Sequence, residues 1–173
     1  MSKVLMIISQ ENFRDEELFI PREMLQTAGH EVKVASLTRA KAKGMLGAQV
    51  APDMAVHEAN PDFFDAVIVV GGSGSLKLAD SPDVQKLLFS AFRKGKILGA
   101  ICLGPVALAK SGVLSGKRAT VFRSDKSLRS LKDNGAEIAM EDVVRDGNIV
   151  TACGPEAANE FGKALAGMLE EKH

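Results

Sequence analysis

The chain has no tryptophan and no tyrosine, and only two cysteines and three histidines among its 173 residues. A flavin site would recruit aromatic stacking residues, and the missing types argue against one. Two cysteines without a C-x-x-C or a Cys/His cluster argue against a disulfide scaffold and against structural zinc, and no metal or organic cofactor is expected. Lysine plus arginine and aspartate plus glutamate each number 22. That balance leaves no basic excess to hold nucleic acid or an anionic membrane. The N-terminal apolar run, Val4 to Ile8, is too short for a signal-peptide core and far short of a membrane span. The expectation is one cytoplasmic domain over residues 1–173 with reduced thiols, long enough to bury a full core.

What is present is a series of short apolar runs alternating with helical patterns. Val4 to Ser9, Val32 to Leu37, Ala66 to Val70, Ile97 to Ile101 and Ala119 to Phe122 read as strands. Asn12 to Gly29 has helical spacing, Ser81 and Pro82 open a helix through Lys94, and Asp125 to Asn134 is a helix closed by Gly135. The Gly44 to Gly47 turn and the alternation in Gln49 to Val56 predict a small hairpin. Val143 to Arg145 and Ile149 to Ala152 flank Asp146-Gly147, a second hairpin, and Glu156 to Glu170 closes the chain as a helix. Such alternation predicts a mostly parallel sheet with helices on both faces, whose chemistry gathers outside the carboxyl ends of the strands. Ser9 to Phe13, Gly71 to Ser75, Cys102-Leu103, Phe122-Arg123 and Cys153 to Glu156 fall at such ends.

Among these, the stretch Lys96 to Ser111 runs from a strand directly through Cys102 into a helix opened by Gly104 and Pro105. A residue at so sharp a break sits in a strained turn with its side chain exposed, the nucleophile-elbow arrangement with sulfur in place of a serine oxygen. The following helix N-terminus would favour thiolate over thiol. A buried packing cysteine satisfies the same segment. Gly71-Gly72 could bring backbone N–H groups to an oxyanion with the N–H of Leu103, or simply make a tight turn. These glycines also stand where a response regulator would place its phospho-acceptor aspartate, and no G-x-G-x-x-G or P-loop pattern occurs.

In the acidic run Asp15-Glu16-Glu17, Glu17 stands apart because Pro21 cannot donate to its carbonyl, which predicts a helix kink or restart there. A carboxyl group buried beside the sulfur would have a raised pKa, and could then keep its proton and donate to sulfur. The three carboxylates equally well just complement a helix N-terminus. His30 and His57 are both expected at the amino edge of the sheet, and His173 is the last residue, so a Cys-His protease arrangement is disfavoured. Cys153 could resolve an oxidised Cys102, or merely fill space.

Four segments together, Glu17-Leu-Phe-Ile-Pro21, VVGG at 69–72, AICLGP at 100–105 and TACGPEAANEF at 151–161, resemble the ThiJ/PfpI superfamily, which includes the parkinsonism-associated deglycase and PfpI-type intracellular proteases. The resemblance implies a flavodoxin-like three-layer sandwich, a homodimer or higher homo-oligomer, and Cys102 as nucleophile beside Glu17. It places Gly71, Gly72 and Leu103, with Gly154 and Pro155, around the oxyanion and substrate. It further implies a cofactor-independent, stress-response enzyme of the glyoxalase III or deglycase kind acting on small reactive aldehydes. A redox-sensing or chaperone-like protein with an oxidisable Cys102, meeting an oxidant rather than a substrate, is the alternative. A PfpI-type peptidase or amidase is a further one. Leu103 replaces the histidine that follows the cysteine in PfpI-type proteases, which undercuts a peptidase. Cys153 stands where an arginine is usual and Phe122 where the deglycase subgroup has histidine. The site should therefore be drier and less basic than in many relatives, with Glu17 as its proton carrier.

Overall fold

The computed structural model describes residues 1–172; His173 lies outside them. The strand β1 (Lys3–Ile7) leads through a short β2 (Glu11–Phe13) to helix α1 (Asp15–Thr27), and β3 (Glu31–Ser36) returns. A small excursion follows, with β4 (Ala42–Gly44), β5 (Gln49–Val50) and β6 (Met54–Ala55). Next come β7 (Ala66–Val69), α2 (Ser75–Ala79), α3 (Pro82–Arg93), β8 (Ile97–Ile101) and α4 (Pro105–Lys110). The last third holds β9 (Arg118–Ala119), α5 (Asp125–Asp133), β10 (Glu137–Ile138), the hairpin β11 (Val143–Asp146) and β12 (Ile149–Ala152), and α6 (Ala158–Glu171).

The main sheet has the order β11-β12-β8-β7-β1-β3-β6, parallel throughout except for the β11–β12 hairpin. Its central strands look continuously apolar because both faces are buried. In β1 and the residue after it, Val4, Met6 and Ile8 enter the core under α1 and α6, while Leu5 and Ile7 enter the core under the other helices. Ala66 and Ile68 alternate with Val67 and Val69 in the same way along β7. Period-two alternation between two apolar layers is the physical content of the three-layer α/β sandwich that the sequence predicts.

Several boundaries differ from expectation. Helix α1 begins at Asp15 rather than Asn12, because Asn12 takes a left-handed conformation (φ 61°) and Glu11–Phe13 pair with β4. It then runs through Pro21 as one element, without the restart predicted there. Pro21 is buried in the stripe Leu18, Pro21, Leu25, and the side-chain-free Gly162 of α6 leaves room for it and for Met24. Packing on α6 thus holds a helix that local preference would interrupt. The predicted Gln49–Val56 hairpin is split: β5 pairs back with β4, whereas β6 joins the main sheet beside β3. The Ala119–Phe122 strand shortens to β9, paired with β10, and the last helix begins at Ala158 after a 3-10 turn at Pro155–Ala157. Helix α2, directly after Gly71-Gly72, has too short an apolar pattern to register in the sequence.

Candidate active site

Strand β8 ends at Ile101, and Cys102 follows with φ 62°, one of two non-glycine residues in the left-handed region among the described residues. The strain is held from both sides: the Cys102 N–H donates to the Ala152 carbonyl at 2.8 Å, and its carbonyl accepts from the Phe122 N–H at 2.7 Å. A residue pinned this way turns its side chain out of the strand, here into the space above the strand ends. Helix α4 is only six residues long. The groups that favour the sulfur anion are the backbone N–H groups of Gly72 and Leu103, which face Sγ.

Glu17 is fully buried beneath that sulfur. It reaches this place because it belongs to the buried stripe of α1, with Leu18, Pro21 and Leu25, and not because the helix breaks. Gly71 makes the approach possible: a side-chain carbon there would run into the Glu17 carboxyl and into Cβ of Cys102. Gly72 (φ 104°) brings the loop against Asn12 and Arg14, and the Arg14 N–H donates to the Gly71 carbonyl at 2.9 Å. The start of α1 is thereby fastened to the loop that carries the N–H groups. Of these, the Gly71 N–H faces the carboxyl group and the Gly72 N–H faces the sulfur.

Among the described residues, neither carboxyl oxygen of Glu17 has a hydrogen-bond partner of regular geometry. Burial pushes its pKa up to about 8, against a smaller opposing pull from the thiol and the Gly71 N–H. Burial, and then the ionised Glu17, push the Cys102 thiol up to about 12, against the two backbone N–H groups. The expectation of a plain low-pKa thiolate is thus corrected. Cys102 and Glu17 form a coupled pair that gives up one proton near 8 and holds the second strongly. The carboxyl group and the thiol compete for the proton that remains. Its placement on Glu17 leaves a thiolate facing two N–H donors.

The sulfur opens into a cavity of about 600 Å³ lined by Arg14, Met45, Gly72, Ser73, Cys102, Leu103, Phe122, Arg123, Cys153, Gly154, Pro155 and Glu156. Gly72 and Ser73 of segment 71–75 therefore meet segments 102–103, 122–123 and 153–156, as the rule of strand ends predicts, whereas none of Ser9 to Phe13 lines the cavity. Gly154 and Pro155 form part of the wall, while Glu17 and Gly71 lie under the floor.

Two arginines line the cavity, Arg14 and Arg123. Each is partly neutralised, Arg14 by Glu16 at 2.9 Å and Arg123 by Asp142 at 3.1 Å. Arg14 carried no signal in the sequence because it precedes α1 in an irregular stretch, and Met45 arrives only through the β4–β5 hairpin. Asp15 positions that hairpin, its two oxygens accepting from the Leu46 and Ala48 N–H groups at 3.0 Å each. No described histidine lines the cavity. His30 accepts from the Ser2 N–H at the amino end of the sheet. His57 follows the carboxyl end of β6 rather than the amino edge, a correction that stems from β6 joining the sheet; it sits four strands away from β8.

Among the described residues no cluster of metal-ligating side chains occurs, and no helix is long and apolar enough to cross a membrane. A mostly parallel α/β sandwich with a thiol in a strained turn above a buried carboxyl group defines a class of elbow-type thiol proteins. Within it, the chain belongs to the DJ-1/PfpI family, whose model matches residues 2–168. It is 36% identical over 152 residues to a deglycase of Thermococcus kodakarensis, covering 87% of this chain and 90% of the relative. It is 29% identical over 166 residues to a glutathione-independent glyoxalase of Caenorhabditis elegans, covering 96% and 88%. The crystal structure of a ThiJ/PfpI domain protein from Brachyspira murdochii superposes with a TM-score of 0.94 at 33% identity, covering 98% of this chain and 96% of that one.

Proposed function

We propose that this protein is a cofactor-independent enzyme acting on small reactive aldehydes, of the glyoxalase or deglycase kind. The observation that carries the reading is the Cys102–Glu17 pair, a thiol at the floor of an open cavity over a buried carboxyl group with a pKa near 8. Relatives named deglycase and glyoxalase support the substrate class.

In the proposed reaction the Cys102 thiolate adds to the aldehyde carbon of an α-dicarbonyl such as methylglyoxal, giving a hemithioacetal. Glu17 in its protonated form gives its proton to the developing oxyanion, then takes the proton of the sulfur-bearing carbon to give an enediolate. As the hydroxyl proton passes to the neighbouring oxygen, Glu17 returns its proton to the adjacent carbon, which leaves the thioester of the hydroxy acid. The N–H groups of Gly72 and Leu103 stabilise the negative charge as it passes from sulfur to oxygen. Hydrolysis of the resulting thioester releases the hydroxy acid and restores the thiol. Gly154 and Pro155 shape the opposite wall, and Arg14 and Arg123 set a mildly positive rim.

The peptidase reading loses support from Leu103 and from the absence of a described histidine at the cavity. A homo-oligomer is part of the proposal, consistent with the exposed Met45 and Phe122 at the cavity and the exposed Leu46 next to Met45 in the chain. Light scattering after size exclusion tests it, and a monomer at working concentration rejects it.

The deciding experiment is chirally resolved lactate formation from methylglyoxal by wild type and Cys102→Ala. One enantiomer, formed only when Cys102 is present, is the expected result. Lactate no higher than in the variant overturns the reading.

A further inference from the structure

Cys153 has no part in the carbonyl reaction, yet it occupies a defined position beside it. Strands β8 and β12 run parallel with Ile101 opposite Ala152, and the Cys102 N–H donates to the Ala152 carbonyl at 2.8 Å. Cys102 and Cys153 are therefore the residues that leave these two neighbouring strands, each one step beyond the last pair of the register. The strands they leave lie about 4.8 Å apart, and the α-carbons of a disulfide are about 4.4–6.8 Å apart. Both thiols are free and both line the same cavity.

The surroundings of Cys153 give the second thiol a base. Its Sγ lies 3.5 Å from Oδ1 of Asp142, the same oxygen that Arg123 contacts at 3.1 Å, and its N–H donates to the Asp142 carbonyl at 3.0 Å. Burial, then the contact with Asp142, keep Cys153 protonated above the usual thiol range, with Arg123 opposing. This thiol faces a carboxylate and not the two N–H donors that face Cys102, so it is the weaker first target for an oxidant, but it has an acceptor in place for its proton once an electrophilic sulfur appears nearby.

We infer that Cys102 and Cys153 form a resolving pair, in which a hydroperoxide oxidises Cys102 and Cys153 closes an intramolecular disulfide. In the first step the Cys102 thiolate attacks the peroxide, the O–O bond breaks, sulfur becomes a sulfenic acid and the peroxide leaves as alcohol or water. In the second, Cys153 attacks that sulfur, an S–S bond forms, the S–O bond breaks, and the hydroxyl leaves as water with the proton collected through Asp142. Two thiols and one hydroperoxide give one disulfide, one alcohol or water, and one water. The disulfide removes the nucleophile from carbonyl chemistry and stops Cys102 short of irreversible sulfinate.

The test uses the full, reduced chain treated with one equivalent of hydrogen peroxide, quenched with an alkylating agent, and read by intact mass and non-reducing peptide mapping. The expected product has lost two hydrogen atoms, links the peptides of residues 102 and 153 within one chain, and returns to two free thiols with dithiothreitol. In Cys153→Ser, sulfinate at Cys102 should build up faster, on the order of tenfold. The inference is overturned by sulfinate accumulating in wild type as fast as in Cys153→Ser, by a linkage found only between chains, or by no oxidation at Cys102. The wild-type peptide map decides even if the variant misfolds. The inference shares Cys102 with the carbonyl reaction but not its turnover. Methylglyoxal turnover measured on the reduced sample separates the two: loss of one result leaves the other standing.

Discussion

Glu17 and Cys102 meet across a glycine: the carboxyl group lies fully buried under a sulfur at the mouth of a strained turn, with Gly71 vacating the space between them. Among the described residues none forms an ion pair with the carboxyl group, and Arg14 acts on it only weakly, so burial dominates its protonation. The cavity's arginines are turned to Glu16 and Asp142 instead.

That burial sets a pH signature of stability. The folded pKa of Glu17 is near 8 against an ordinary 4.5. Below 4.5 both folded and unfolded chains carry the proton and nothing is lost. As pH rises from 4.5 to about 8 only the unfolded chain releases it, so folding weakens. At about 1.4 kcal/mol per pH unit the loss is on the order of 5 kcal/mol. Glu17→Gln should flatten this slope in denaturant unfolding measured between pH 4 and 9. A slope that persists unchanged in the variant assigns it to other groups.

The same pair should give the thiol a two-step titration. Thiolate absorbance in wild type is expected to rise partially near pH 8, as the pair's first proton leaves, and again only in strong base. Glu17→Gln should titrate in one step, and its carbonyl turnover should fall by about 10²–10⁴-fold through loss of the proton carrier. Undiminished turnover would remove Glu17 from the mechanism.

Gly71→Ala puts a methyl group against Glu17 and Cys102. An overpacked site of this kind costs about 1–3 kcal/mol, read as a lower denaturation midpoint. Because the groups that must move are the proposed reacting pair and the Ile101 carbonyl at the end of the strand that carries Cys102, kcat should fall while the cavity wall that sets KM is kept. A variant with full stability and full kcat would mean that the approach of Glu17 to the sulfur is looser than described.

Asp15 acts at a distance through the hairpin that brings Met45 to the cavity. Asp15→Ala leaves the Leu46 and Ala48 N–H groups without their acceptor, at a cost of about 1–3 kcal/mol. KM for the aldehyde should rise more than kcat falls. If stability drops and KM does not change, Asp15 is structural only.

The sandwich was legible in the sequence because strands buried on both faces must be continuously apolar, and the breaks at Gly71-Gly72 and after Ile101 mark where the chain leaves the sheet. Cys102, Gly72 and Leu103 are neighbours in one cavity for reasons that parallel β-α units impose locally: strand ends gather, and the residue at the break turns outward. Sequence also singled out Glu17, but on a mistaken ground. The helix does not restart at Pro21; α6 packs over it, with Gly162 as the gap, and the carboxyl group is buried because it shares the stripe of Leu18 and Leu25.

Tertiary structure alone decided what long-range pairing controls. The register of β8 against β12 brings Cys153 and Cys102 to neighbouring strand ends that line one cavity, although 50 residues of chain separate them. The β4–β5 hairpin carries Met45 to the cavity, and the pairing of β6 with β3 moves His57 to the far carboxyl edge. Periodicity and turn residues report each segment's own preference, which short-range sterics and burial fix. Which strands become neighbours, and so which side chains share a cavity, depends on the packing of the whole sheet between its two layers of helices.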